Sequence, residues 1–107
     1  MYVGYQLKIT IKDSHPPIWR RVIVPANITF WDLDNIIEEI FGWTHSHLYS
    51  FYSKNWDVEF SGSPIPDEEE DTSDERISEW IGEEDTFFYV YDFGDNWIHT
   101  IKVEQIV

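Results

Sequence analysis

The segment from Thr29 to Gly42 constrains the fold most, because it is the one well-marked helix in a chain of strand-like runs. Thr29 followed by Asp32 forms a capping-box pattern, and Gly42 stands where a helix ends in a left-handed turn. Its apolar side chains recur at helical spacing: Leu33, Ile36, Ile37, Ile40 and Phe41. The opposite side is polar: Asp34, Asn35, Glu38 and Glu39. We predict a helix over Phe30–Phe41.

Strand-like segments lie on both sides of this helix. Alternation of apolar and polar residues predicts a half-buried strand over 2–11, and a second strand over 18–24 ends at Pro25. Further strands are predicted over 48–53, 56–61, 86–93 and 97–106, with a short helical turn over 77–81. One main helix on one face of a mixed or antiparallel sheet is an α+β architecture, and this order resembles a β-grasp.

The chain has 107 residues, which suits a single domain over 1–107. It contains no cysteine, so disulfides, thiolate metal sites and cysteine nucleophiles are excluded. The N-terminal residues lack the basic and apolar regions of a signal peptide, and no apolar run is long enough to span a bilayer. We therefore expect a cytoplasmic protein that is not bound to a membrane.

Acidic residues dominate the charge, which is −14 from 21 acids and 7 bases, and eleven of these acids lie within residues 67–85. The sequence predicts an acidic mobile loop over 67–76. Such a charge repels phosphate backbones, so we expect a protein partner and no direct nucleic-acid contact. The acids expected to face a partner, which would then be basic, are Glu68, Glu69, Glu70, Asp71, Asp74 and Glu75. Alternatively, this segment mimics a nucleic acid.

Trp19, Arg20 and Arg21 form a candidate ligand or partner site. An arginine can hold a carboxylate or phosphate through two hydrogen bonds, and a tryptophan can stack on a ring. In a strand the two arginines point to opposite faces, so they cannot serve one site without a bulge. The alternative is that Trp19 belongs to the core and the arginines pair with nearby acids.

His45 and His47 have a spacing at which, in an extended segment, both side chains point the same way and can bind a metal. Further ligands would have to come from Asp92, Asp95 or His99. The alternative is that both histidines only cap the end of the helix and the turn that follows. We expect no cofactor, and a metal site remains the less favoured hypothesis.

The stretch YDFGDNWIHTI, residues 91–101, predicts a hairpin whose register decides its chemistry. If Asp92 faces Trp97 across a four-residue loop, Asp92 and His99 share one face of the sheet. If Phe93 faces Trp97 around a three-residue loop, Asp92 points away from His99. The alternative to a site is a turn in which Trp97 is a core anchor.

Three stretches carry a family resemblance: PPIWRRVIVP, TFWDLDNIIEEIFGWTHSHLYSF and YDFGDNWIHTIKVE. In this order they resemble the plasmid ORF-three-like family, named for an open reading frame on an Agrobacterium Ri plasmid and also labelled transposon-passenger TnpR-like. The resemblance implies a small α+β domain associated with mobile elements. Family members often continue past the last strand, and we therefore expect a chain shortened at its C-terminus, which suits an adaptor or inhibitor.

The sequence lacks a complete catalytic triad, a glycine-rich phosphate loop and a complete set of metal ligands. We therefore predict an acidic interaction module that acts by binding rather than turnover. The alternatives are an inhibitor that mimics nucleic acid to block a nuclease, and a domain that binds a metal or small ligand.

Overall fold

The computed structural model describes residues 4–43, 48–56, 58–62, 75–81, 85–91 and 97–107. The prediction of an α+β fold with one main helix is confirmed. Within the described ranges the elements follow in this order: β1 (Gly4–Ile11), β2 (Trp19–Pro25), α1 (Phe30–Phe41), β3 (Tyr49–Ser53), β4 (Glu59–Gly62), α2 (Ser78–Ile81), β5 (Thr86–Tyr91) and β6 (Trp97–Ile106).

The strands form one sheet in the order β2-β1-β6-β5-β3-β4. Every pairing given for the described strands is antiparallel, which decides between the mixed and antiparallel sheets that the sequence left open. The likeness to a β-grasp is limited to the order of elements along the chain, because the first and last strands, β1 and β6, pair in antiparallel rather than parallel orientation. Strands β2 and β4 lie at the edges of the sheet.

One face of the sheet, the covered face, packs against α1. Leu33 and Ile37 of the helix are fully buried there, and Phe30 stacks on Phe60 of β4 with ring centroids 4.4 Å apart. The strand residues of this core alternate along each strand, as a half-buried sheet requires. They are Tyr5, Leu7, Ile9, Val24, Tyr49, Phe51, Phe60, Phe87, Tyr89, Tyr91 and Ile101.

Helix α1 begins and ends where the sequence predicts. The Asp32 backbone N–H donates to Thr29 Oγ1 at 3.1 Å, and the Thr29 N–H donates to Asp32 Oδ2 at 3.0 Å, which completes the capping box. At the other end Gly42 adopts a left-handed conformation with φ 75°, and the Trp43 N–H donates to the Glu38 carbonyl at 2.8 Å.

Two strand predictions differ from the structure. The strand predicted over 56–61 is wrong at its start: Trp56 lies in the turn after β3 with φ 64°, and β4 begins only at Glu59. The predicted end of the strand over 86–93 lies outside the described residues, since β5 is described to Tyr91.

Residues 75–77, which precede helix α2, are attached to the start of α1. The Phe30 N–H donates to the Glu75 carbonyl at 3.0 Å, and the Ile77 N–H donates to the Ile28 carbonyl at 3.0 Å. A single bridge also joins Thr29 and Arg76. The end of the predicted acidic loop is therefore held by backbone hydrogen bonds, and residues 67–74 lie outside the described ranges.

Across the described residues, neither helix is long and apolar enough to cross a membrane.

Replacing Gly42 with alanine should destabilise the protein by about 1 kcal/mol, because a side chain with Cβ is strained at this positive φ. A Cβ added here would meet no atom within 4 Å, so the cost comes from backbone conformation and not from a clash. Urea unfolding measures the change. Gly42→Asn is the matched control and should cost less, because asparagine tolerates this conformation; equal stability of Gly42→Ala and wild type would contradict the assignment.

Candidate functional site

Two acids that the sequence places on the polar side of α1 are in fact buried. Asp34 and Glu38 are 3% and 2% exposed, and both face the tyrosines of the covered face. Burial raises the pKa of Glu38, although hydrogen bonds with Asp34 and Tyr91 oppose this shift. A polar position on this helix is therefore not the same as an exposed one.

Tyr89 of β5 provides the main contact for the first acid. Its hydroxyl donates to Asp34 Oδ1 at 2.6 Å, a distance typical of a hydroxyl bound to a carboxylate. Burial, reinforced by the charge of Asp34, raises the pKa of Tyr89 far above its usual range, so this hydroxyl remains a donor. The hydrogen bond ties the middle of α1 to the centre of the sheet.

His99 of β6 lies in the same buried region and is fully enclosed. Its Nδ1 lies 3.0 Å from the Trp97 carbonyl oxygen and 3.3 Å from that of Tyr89, so Nδ1 carries the proton. Its Nε2 accepts from Trp43 Nε1 at 3.3 Å. Burial lowers the pKa of His99 to about 4, so the ring is neutral near pH 7.

The hairpin register differs from both alternatives that the sequence allowed. Tyr91 pairs with Trp97 and Tyr89 pairs with His99, so five residues, 92–96, connect the strands. His99 lies on the same face as Tyr91, as in the second alternative, although the loop is two residues longer. Asp92 and Asp95 lie outside the described residues.

The two tryptophans that the sequence offered as core residues are both 41% exposed. Trp97 lies on Trp43 with ring centroids 5.5 Å apart, at the margin of the buried region. Trp19 lies on the far side of the sheet. The core assignment is therefore wrong for both.

His45 and His47 lie outside the described residues, so the metal hypothesis that rests on them stays a prediction. Among the residues that the structure describes, no group of three or more histidines and acids is placed to hold a metal ion. Glu68, Glu69, Glu70, Asp71 and Asp74 also lie outside the described ranges, and Glu75 is exposed.

The buried polar residues Asp34, Glu38, Tyr89 and His99 form a closed network. A ligand cannot reach these side chains in this conformation, because all four are at most 3% exposed and His99 is also bonded on both ring nitrogens. The network therefore positions α1 on the sheet, and it is not the candidate functional site.

The opposite face of the sheet, the open face, is different because no described helix packs on it. Arg21 lies on this face and Arg20 on the covered face, as strand alternation predicts. The Arg20 guanidinium lies 5.4 Å from the ring centroid of Phe41. The two arginines therefore do not serve one site.

Trp19 and Arg21 belong to a cluster of polar and aromatic side chains on the open face. Arg21 Nε and Nη2 donate to the two carboxylate oxygens of Glu104 at 2.6 and 2.9 Å. This pair, with further help from Gln6, lowers the pKa of Glu104 to about 2. The Trp19 ring has Arg21 Cζ at 5.1 Å and Lys8 Nζ at 4.9 Å from its centroid.

A second aromatic cluster lies on the open face over β5 and β3. Trp56 stacks on Phe88 with ring centroids 4.7 Å apart and an interplanar angle of 12°, and it also contacts Tyr52. Between the clusters lie Thr10 and Thr100, which are direct cross-strand partners. The open face thus presents two aromatic groups that are separated by two threonines.

The sequence reasoning identified Trp19 and Arg21 but missed Lys8, Trp56 and Lys102. These three residues belong to different segments, and only the strand register places them on one face. Alternation within each strand was the available signal, since Lys8 and Lys102 occupy the polar positions of β1 and β6.

Replacing Tyr89 with phenylalanine should lower the free energy of unfolding by about 1–3 kcal/mol, because Asp34 would lose its donor in a buried site. Urea unfolding of the purified variant measures the loss. Tyr52→Phe is the control: its hydroxyl contacts the exposed Glu59 at 3.3 Å, and we expect a loss below about 0.5 kcal/mol. Equal effects of the two variants would argue against the buried network.

The free energy of unfolding should fall on acidification because of His99. The stabilisation is complete above pH 6.5, the ordinary pKa of histidine. It is lost as the pH falls to about 4, since over this range the unfolded state binds a proton that the folded state does not. The expected loss is about 3 kcal/mol. The free energy of unfolding in urea is compared near neutral pH and near pH 4. The loss between the two should be smaller for His99→Gln than for wild type. His15→Gln, which changes an exposed site, should retain the wild-type loss. An unchanged pH dependence in His99→Gln would contradict the assignment.

A family model described as "Plasmid pRiA4b ORF-3-like protein" matches residues 3–107. An uncharacterised protein of Sinorhizobium fredii, y4hQ, is 39% identical over 107 residues, a match that covers 94% of this chain and 53% of that protein. The crystal structure of a protein of unknown function from Methanosarcina mazei, MM3350, superposes with a TM-score of 0.81 at 33% identity.

That structural match covers all of this chain and 62% of the archaeal chain. The chain therefore spans about half the length of the rhizobial relative and about three fifths of the archaeal one. The match to the family model extends over nearly every residue and agrees with the resemblance seen in the sequence. The chain belongs to the plasmid pRiA4b ORF-3-like family.

Proposed function

We propose that this domain is a binding module and that it docks a partner protein on the open face of its sheet. The observation that carries this proposal is the set of large apolar side chains exposed on that face. Trp19, Ile23 and Trp56 are 41%, 60% and 45% exposed. Exposed aromatic and aliphatic groups with polar neighbours are typical of protein-interaction surfaces.

The chemistry of the open face supports binding more than turnover. Its described titratable groups are exposed or half-buried, and Arg21 and Glu104 neutralise each other. Trp19 has the properties of a binding hot spot, since it is a large ring held in place by two cationic neighbours. The rhizobial relative is uncharacterised and the archaeal one is of unknown function, so the proposal rests on this chain's own surface.

The nucleic-acid-mimic hypothesis concerns a different part of the protein. It depends on the acids of residues 67–74, which lie outside the described ranges. A mimic would bind a basic partner through that segment, and its complex would not depend on Trp19. Substitution of Trp19 therefore separates the two hypotheses.

Truncation of Trp19 to alanine should weaken partner binding by about 30-fold, the effect of losing a hot-spot side chain worth about 2 kcal/mol. The partner is captured from the native host with wild-type bait, identified by mass spectrometry, purified and titrated calorimetrically against each variant. Because Trp19 is exposed, the variant should keep its fold, which circular dichroism checks.

Trp31→Ala is the matched control, because Trp31 is 36% exposed on α1, away from the open face. It should bind the partner as wild type does. If Trp19→Ala binds the partner as tightly as Trp31→Ala does, the open face is not the docking surface.

A further inference from the structure

A row of three cations crosses the open face where strand pairing should disfavour it. Lys8 on β1 is the direct partner of Arg21 on β2 and of Lys102 on β6. Like charges directly opposite each other destabilise a sheet. These are three of only seven lysines and arginines in a chain with a net charge of −14. In a chain this acidic, uncharged or acidic residues could occupy these three positions instead.

The acids among the described residues neutralise only part of this row. Glu104 binds Arg21 through both carboxylate oxygens. In the part of the chain that the structure describes, Lys8 and Lys102 have no carboxylate at ion-pair distance, and Lys8 instead lies over the ring of Trp19. Counted over the described residues alone, three cations and one anion leave two positive charges on this patch.

The adjacent cross-strand row provides an apolar surface beside the cations. It runs from Trp19 on β2 through Thr10 and Thr100 to Phe88 on β5. Strands are about 4.8 Å apart, so the two aromatic groups stand about 14 Å from each other. The threonines between them are short and partly exposed, so a few side chains of an extended peptide fit between the rings.

We propose that the row of Arg21, Lys8 and Lys102 receives carboxylates of an acidic peptide segment, whose apolar side chain lies between Trp19 and Phe88. This inference rests on the proposed function and names the chemistry of the partner. The two uncompensated charges match a segment with about two acids. A nucleic acid brings many phosphates, which the net charge of −14 repels.

A peptide-display selection on the purified chain tests this chemistry. Wild-type protein should enrich peptides that combine aspartate or glutamate with aliphatic or aromatic residues. The strongest synthetic peptide should bind about tenfold more weakly to the Lys8→Gln, Lys102→Gln double variant, the loss expected for two exposed ion pairs. Its affinity for the wild type should also fall as the salt concentration rises.

Two further double variants control for net charge and for folding. Lys12→Gln with Lys54→Gln removes the same charge at exposed positions outside the row, and it should bind the peptide as wild type does. Lys8→Arg with Lys102→Arg keeps the charge and should retain most of the affinity. Loss of binding in the Lys12, Lys54 variant to the same degree would overturn the proposal.

Trp19→Ala separates failure of this inference from failure of the proposed function. If the selected peptides require Trp19 but lack acids, or bind the Lys8→Gln, Lys102→Gln variant as tightly as wild type, the inference is overturned. The proposal that the open face is the docking surface then still stands. A selection that yields no Trp19-dependent peptide overturns both. Tighter binding of a twelve-residue oligothymidylate than of the acidic peptide, with the same lysine dependence, overturns the choice of a peptide.

Discussion

A six-stranded antiparallel sheet has two faces, and in the described chain one 12-residue helix covers only one of them. Every strand contributes residues to the hydrophobic cluster packed against that helix, so most of the stability of the fold comes from the covered face, although Val90 of β5 is also buried on the other side of the sheet. The open face is then free to carry side chains that contribute little to folding. Exposed tryptophans and a row of like charges are tolerated there because the hydrophobic core lies on the other side of the sheet.

The covered face also contains an energetically unfavourable feature, the burial of Asp34 and Glu38. Removing two acids from water is unfavourable unless hydrogen bonds replace the lost hydration. Tyr89 and Tyr91 supply these bonds from β5, and the short contact to Asp34 gives the helix one preferred position on the sheet. His99 extends the network to Trp43, the residue after the helix cap. The polar interior thus links the helix to the two strands of the 86–106 hairpin.

Helix α1 could be predicted from the sequence to the residue, because its caps and its apolar stripe are local patterns. Most strands could also be predicted, since alternation is visible within each one. The burial of Asp34 could not, because its partner Tyr89 is 55 residues away and lies on a strand whose position depends on the whole sheet.

Predicting the site required knowledge of which face is covered. The sequence allowed Trp19 to be either a core residue or part of a binding site, and only the sheet order shows that it lies away from α1. The cation row depends on the registers of β1 with both β2 and β6, which no single segment encodes. The hairpin at 91–97 illustrates the same limit. Alternation showed which residues of β6 share a face of the sheet, but it did not show how many residues connect the two strands.

The central claim is that the open face contacts the partner, and indole N–H resonances of the ¹⁵N-labelled protein test it most directly. Trp19 and Trp56 lie on the open face, whereas Trp31 and Trp80 lie on the two helices. On titration with the purified partner, we expect the Trp19 and Trp56 resonances to shift and those of Trp31 and Trp80 to stay in place. Shifts confined to Trp31 and Trp80 would contradict the account.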